Sequence, residues 1–234
     1  MKNNQNSAQR LLEISVFLGI GTLIITYIVS TTSGRVAPFI PIISEMPFND
    51  PEGSIFGIGL GISMFSFLIL AQVFHKIFKP LSKEIDSNYE NMNDLIRIIA
   101  TLGAICGIIT VNFNWDTYPI LHGITAFILF TSFLIWNTFA YLVLEKSGKG
   151  NSLRKYAVYA GWMFYVFMAI FSVLDNQELR KEEGDFFYRM NNPPTVDTER
   201  SMYLNITAFC EWAMVFSFYT SALTHKKELE GISI

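Results

Sequence analysis

The chain has 234 residues, of which 51% are hydrophobic and only 16% charged, with a formal net charge of −3. Soluble domains carry roughly 25% charged residues, so this balance excludes a surface that faces water throughout. The small net charge also leaves no electrostatic footprint for a nucleic-acid partner.

Six apolar runs follow in chain order, at about 11–30, 54–74, 95–113, 118–144, 156–174 and 204–224. Each approaches or exceeds the roughly 20 residues that carry a helix across a ~30 Å hydrocarbon core. None alternates as a barrel strand does. Only helices or closed barrels satisfy their backbone in lipid. The prediction is therefore an all-α polytopic membrane protein, a bundle of six transmembrane helices in one domain over 1–234. The first run is unbroken from Ile14 to Val29, longer than the roughly 7–15 residues of a signal-peptide core. A cleaved signal is the alternative, since "STTSG" follows; the length favours a retained helix.

The stretch "PFIPIISEMPFNDPEGSIFGIG", Pro38–Gly59, joins the first two runs in the loop 31–53. Prolines fix φ and withhold a donor, so Pro38, Pro41 and Pro51 can stiffen this loop without helix or strand. Its apolar residues Phe39, Ile40, Ile42, Ile43 and Phe48 predict a lid over the bundle mouth, with Glu45 and Glu52 projecting beneath it. In the second run Gly53, Gly57 and Gly61 recur every four residues, as Gly103 and Gly107 do in the third. No strand precedes them and no Lys-Ser/Thr follows, so they predict close helix packing and not a phosphate loop.

An even number of spans places both ends on one side. That side collects Lys2, Arg10, Lys76, Lys79, Lys83, Lys146, Lys149, Arg154, Lys155, Lys226 and Lys227, with Arg97 just inside the third run. The other holds only Arg35, Arg180, Lys181, Arg189 and Arg200. Cytosolic loops gather Lys and Arg, which predicts that both termini are cytosolic and that loops 31–53 and 175–203 are lumenal or extracellular. Acids dominate the lumenal side: Glu45, Asp50, Glu52, Asp116, Asp175, Glu178, Glu182, Glu183, Asp185, Asp197 and Glu199. They predict a solvated anionic cap.

Ionisable groups within spans are costly and usually line an interior. Glu211 lies about 10 Å inside the sixth run. Asn112 closes the third run and His122 opens the fourth, at similar depth, with Glu45 and Glu52 above. Such a cluster can bind a polar head group, run general acid–base chemistry on a lipid ester, or simply hold three helices in register. No G-x-S-x-G motif supplies a nucleophile, so no catalytic residue is assigned and a non-enzymatic role is the first reading. Cys106 and Cys210 lie inside spans, and no spacing of His and Cys predicts a metal or a cofactor. Trp115, Tyr118, Trp162, Tyr203 and Trp212 near span ends read as interfacial anchors.

The fragments "PFIPIISEMPFNDPEGSIFG", "VNFNWD", "LHGITAF" and "AFCEWAMVFSFYTSALT" together resemble the DRAM/Sfk/PGAP membrane family, and within it the damage-regulated autophagy modulators. The positions matching the family's motifs are Pro38, Ser44, Glu45, Pro51, Glu52, Asn112, His122, Glu211 and Trp212. The chain departs from the pattern at Glu45-Met46-Pro47, where a small turn is usual, and at Phe113-Asn114, where relatives carry Phe-Gln. The resemblance implies a regulator of autophagy in the lysosomal or late endosomal membrane, for which the polar cluster is the expected place of binding for a membrane lipid or a partner. Other branches imply lipid remodelling in the Golgi or endoplasmic reticulum. Another implies a plasma-membrane scaffold for a phosphoinositide kinase, with protein partners at cytosolic loops around Lys76, Lys79 and Lys83.

Overall fold

The structure is a computed structural model that describes residues 6–184 and 188–234. Lys2 and Asp185, named above among the charges, lie outside the described residues, as do the side chains of Arg180 and Glu182.

Each apolar run is one helix, and all six helices are long and apolar enough to cross a bilayer. They are α1 (Ser7–Thr32), α2 (Glu52–Ile85), α3 (Ser87–Asn112), α4 (Pro119–Lys146), α5 (Ser152–Glu183) and α6 (Met202–Leu223). Several outrun the apolar stretch that announces them. Hydropathy reports where lipid would end, whereas a helix continues as long as its backbone is paired and its end is capped. Thus α2 runs on through Lys83 to Ile85, and α3 begins at Ser87 because the Asp86 side chain accepts from the Asn88 and Tyr89 amides at 2.8 and 3.0 Å. Likewise α5 continues to Glu183, so the expected loop 175–203 opens with further helix and then makes a single helical turn, Tyr188–Asn191. The start of α6 is set by Ser201, whose hydroxyl accepts from the Leu204 amide at 2.9 Å. These are the side-chain oxygens that N-caps require.

Helices α1 to α4 pack in sequence, each against the next, while α5 packs chiefly on α6 and touches α4 only sparsely. Small residues allow the close approaches. A Cβ on Gly103 of α3 would lie 2.5 Å from the Cβ of Ser132 on α4. Near the chain ends the core is aromatic, with Phe74, Phe78, Trp136 and Phe139 buried together.

The two ends of the chain meet. The Ala8 amide donates to the Ile232 carbonyl at 3.3 Å, and the Ile234 amide to the Ser7 hydroxyl at 2.8 Å. Behind this contact Leu229 is fully buried. Arg154, 1% exposed, is not one of the solvated bases of this end. Its Nε donates to Thr224 Oγ1 at 3.0 Å, and its Nη2 to the Thr224 carbonyl at 2.8 Å and to Glu228 at 3.0 Å. A guanidinium thus satisfies the open end of α6, where a helix terminus attracts a cation. Lys76, Lys79, Lys83, Lys146, Lys149 and Lys227 are exposed around it.

Candidate functional site

At the opposite end the proline-rich loop turns into the bundle instead of lying upon it. Its six-residue 3-10 segment, Ile43–Phe48, has Ile43, Glu45, Met46 and Pro47 buried. Ile43 and Met46 join the main core, whereas Ile42 packs with Leu204 and Ala208 of α6. The lid expectation fails for Phe39, which is 70% exposed. Ile40 has φ +36°, a conformation that strains a β-branched residue, and its carbonyl accepts from Arg200 at 3.3 Å.

Two consecutive residues of α6 hold this loop. The Ile43 amide donates to Glu211 Oε2 at 2.6 Å, and Trp212 Nε1 donates to the Pro41 carbonyl at 2.8 Å. Tyr27 of α1 adds a bond from its hydroxyl to the Pro38 carbonyl at 2.6 Å. Asn114 donates to the Pro47 carbonyl at 2.9 Å. A segment rich in proline has few donors of its own, so its carbonyls are paired by side chains from the helices.

His122, one turn into α4, reaches the same loop. Its Nδ1 lies 2.9 Å from the Phe113 carbonyl and its Nε2 lies 2.9 Å from Ser44 Oγ. A carbonyl only accepts, so Nδ1 carries the proton and Nε2 of the neutral ring accepts from the serine hydroxyl.

Ser44, His122 and Glu211 line one cavity of about 500 Å³ between α4, α5 and α6. Phe127, Phe130, Tyr165 and Met168 form its apolar walls, and Thr207, Asp175, Asn176 and Arg189 add polar groups. Towards the core a smaller cavity of about 90 Å³ adjoins, lined by the same three residues with Phe56, Leu60 and Phe133. A concave, mainly apolar space with few convergent polar groups is what a small-molecule or lipid site requires.

The five residues expected to converge do so only in part. His122 and Glu211 share the cavity. Glu45 is adjacent along the chain, but its carboxylate is taken by Arg200 at 2.9 Å. Burial pushes the Glu45 carboxyl above its ordinary value, with the Arg200 guanidinium pulling the other way. Glu52, wholly buried, pairs with Arg35. Asn112 faces α2, where a Cβ on Gly57 would come within 3.1 Å of its Oδ1, and its amide donates to the Ile108 carbonyl of its own helix. With Asp175 paired to Arg189 at 2.8 Å, three of the acids assigned to a solvated anionic cap are internal and neutralised. Composition shows these charges only as a solvated set: Arg200 pairs across to a different loop, while Arg35–Glu52 and Asp175–Arg189 close within one loop each, and nothing in local spacing tells which acid turns inward. Asp175, Arg189 and Arg200 therefore read as surface charges in the sequence, and nothing there singles out Thr207.

A six-helix membrane protein with an internal loop folded into the bundle beside a cavity between its fourth, fifth and sixth helices is the class this geometry defines. The family model described as Frag1/DRAM/Sfk1/Cwh43P N-terminal domain matches residues 8–231, and the chain belongs to that family. It is 24% identical over 223 residues to DNA damage-regulated autophagy modulator protein 1 of Mus musculus, covering 90% of this chain and 86% of that protein. The Xenopus laevis protein of the same name is 24% identical over 215 residues, covering 89% and 85%. The Homo sapiens one is 23% identical over 223 residues, covering 90% and 86%. No solved structure matches the chain significantly.

Proposed function

We propose that this protein regulates autophagy from the lysosomal or late endosomal membrane by binding a membrane lipid in the cavity between α4, α5 and α6. The relatives' printed name, autophagy modulator, supports the process. The cavity itself carries the lipid reading. Its polar groups (His122, Glu211 and the Asp175–Arg189 pair) offer a polar lining to a head group, while Phe127, Phe130 and Met168 offer apolar contact to acyl chain. The sparse packing of α4 on α5 supports a sideways entry from the bilayer. In this reading both termini face the cytosol, on the strength of the exposed lysines at their end, and the loop end faces the lumen.

The test compares the wild type with Ala126→Trp, which fills the cavity from α4. Mass spectrometry of protein purified in mild detergent should find one lipid class enriched near stoichiometry in the wild type. The variant should lose it while still folding, as a single cooperative melting transition would show. Cells lacking the protein should regain normal autophagic flux with the wild type and not with the variant. Equal lipid content in the two purified proteins would overturn the binding reading.

A further inference from the structure

We propose that Ser44 and His122 form a nucleophile–base pair that cleaves a carboxylic ester of the lipid held in this cavity. The inference rests on the lipid reading above and adds a reaction to it.

The geometry has the parts an activated serine requires. Ser44 Oγ lies 2.9 Å from His122 Nε2, within the reach over which a base removes a hydroxyl proton. The Phe113 carbonyl, 2.9 Å from Nδ1, fixes the tautomer that leaves Nε2 free to accept. It occupies the place that a carboxylate holds in a Ser-His-Asp triad. Both reacting groups line the cavity, so an ester bound there meets the hydroxyl without any opening of the fold. The peptide bearing the serine is fixed on its preceding residue by Glu211, which accepts the Ile43 amide at 2.6 Å. Glu211 is accordingly a positioning residue. Thr207, whose buried hydroxyl has no hydrogen-bond partner among the described residues, lines the same cavity.

In the reaction Ser44 Oγ bonds to the ester carbonyl carbon as its proton passes to His122 Nε2. The carbon–oxygen bond to the alcohol then breaks, and Nε2 returns the proton to the departing alkoxide. The acyl group remains on Ser44. Water gives a proton to Nε2, its hydroxide attacks the acyl carbon, and the fatty acid leaves as Ser44 regains its proton. Ester and water become acid and alcohol, with no redox partner.

The probe is an alkyl fluorophosphonate, which phosphonylates an activated serine: the Oγ–P bond forms and the P–F bond breaks. Full-length protein in phosphatidylcholine nanodiscs should take up the probe on Ser44, located by peptide mass spectrometry. Ser44→Ala should abolish the adduct, and His122→Gln should slow its formation by about a hundredfold. Should His122→Gln not fold, the wild-type adduct alone decides. No adduct on Ser44 in wild type that retains its lipid overturns the dyad and leaves lipid binding standing. An adduct that forms equally fast in folded His122→Gln also overturns it. Loss of both lipid and adduct would remove the cavity reading as well.

Discussion

His225, just beyond α6, is enclosed by Phe74, Phe78 and Trp136 at ring-centroid distances of 5.3, 6.2 and 5.4 Å. Neither ring nitrogen has a hydrogen-bond partner among the described residues. Burial holds its pKa well below the ordinary 6.5, and the Arg154 cation beside it acts in the same direction. The folded state therefore keeps the ring neutral, while the unfolded chain takes up a proton below about 6.5. Its contribution to stability is complete above that pH and falls as the solution is acidified, by at most about 1.4 kcal/mol per pH unit. Glu45 has the opposite sign. Its raised pKa gives stability that is whole below 4.5 and lost as pH rises through the folded value. In a Glu45→Gln background the melting temperature should drop between about pH 7 and pH 5.5, a window to which His225 contributes. His225→Phe should make that slope shallower, and a slope left as steep would show that other groups control it.

Between elements, two interfaces behave differently. The α3–α4 contact is closed by Gly103, where even a methyl group would collide with Ser132, whereas Gly21 of α1 has nothing within 4 Å of its missing Cβ. Alanine should help an exposed helical position by up to about 1 kcal/mol, through helix propensity. At Gly103 the overpacking penalty of about 1–3 kcal/mol outweighs that gain. Hence Gly103→Ala should lower the melting temperature in detergent and Gly21→Ala should not. The same sign at both sites would contradict the packing. The α4–α5 contact is the loose one, and the cavity lies there. Glycines at four-residue spacing could be read from the chain as packing faces. Which face meets which helix could not, because helix pairing depends on side chains brought from separate segments.

At the scale of the molecule, the meeting of Ser7 and Ala8 with Ile232 and Ile234 places the chain ends together at one end of the bundle. Under the proposed orientation, single cysteines at exposed Lys149 and Lys227 should react with a membrane-impermeant maleimide only from the cytosolic side, and those at exposed Asp116 and Asp197 only from the other. The native Cys106 and Cys210 are buried and give a quiet background. Labelling of both pairs from one side would refute the threading. The six spans, their helical state and the family were legible from the runs and fragments of the chain, because lipid imposes length and apolarity on each helix separately. His122 and Glu211 were legible as isolated polar residues in apolar segments. The bonds of His122 to Ser44 and of Glu211 to the Ile43 amide, the pairing of Glu45 with Arg200 and the turn of Arg154 inward to cap α6 were not. Those contacts join positions far apart along the polypeptide, and their energies arise only when packing excludes water and brings donor and acceptor within 3 Å.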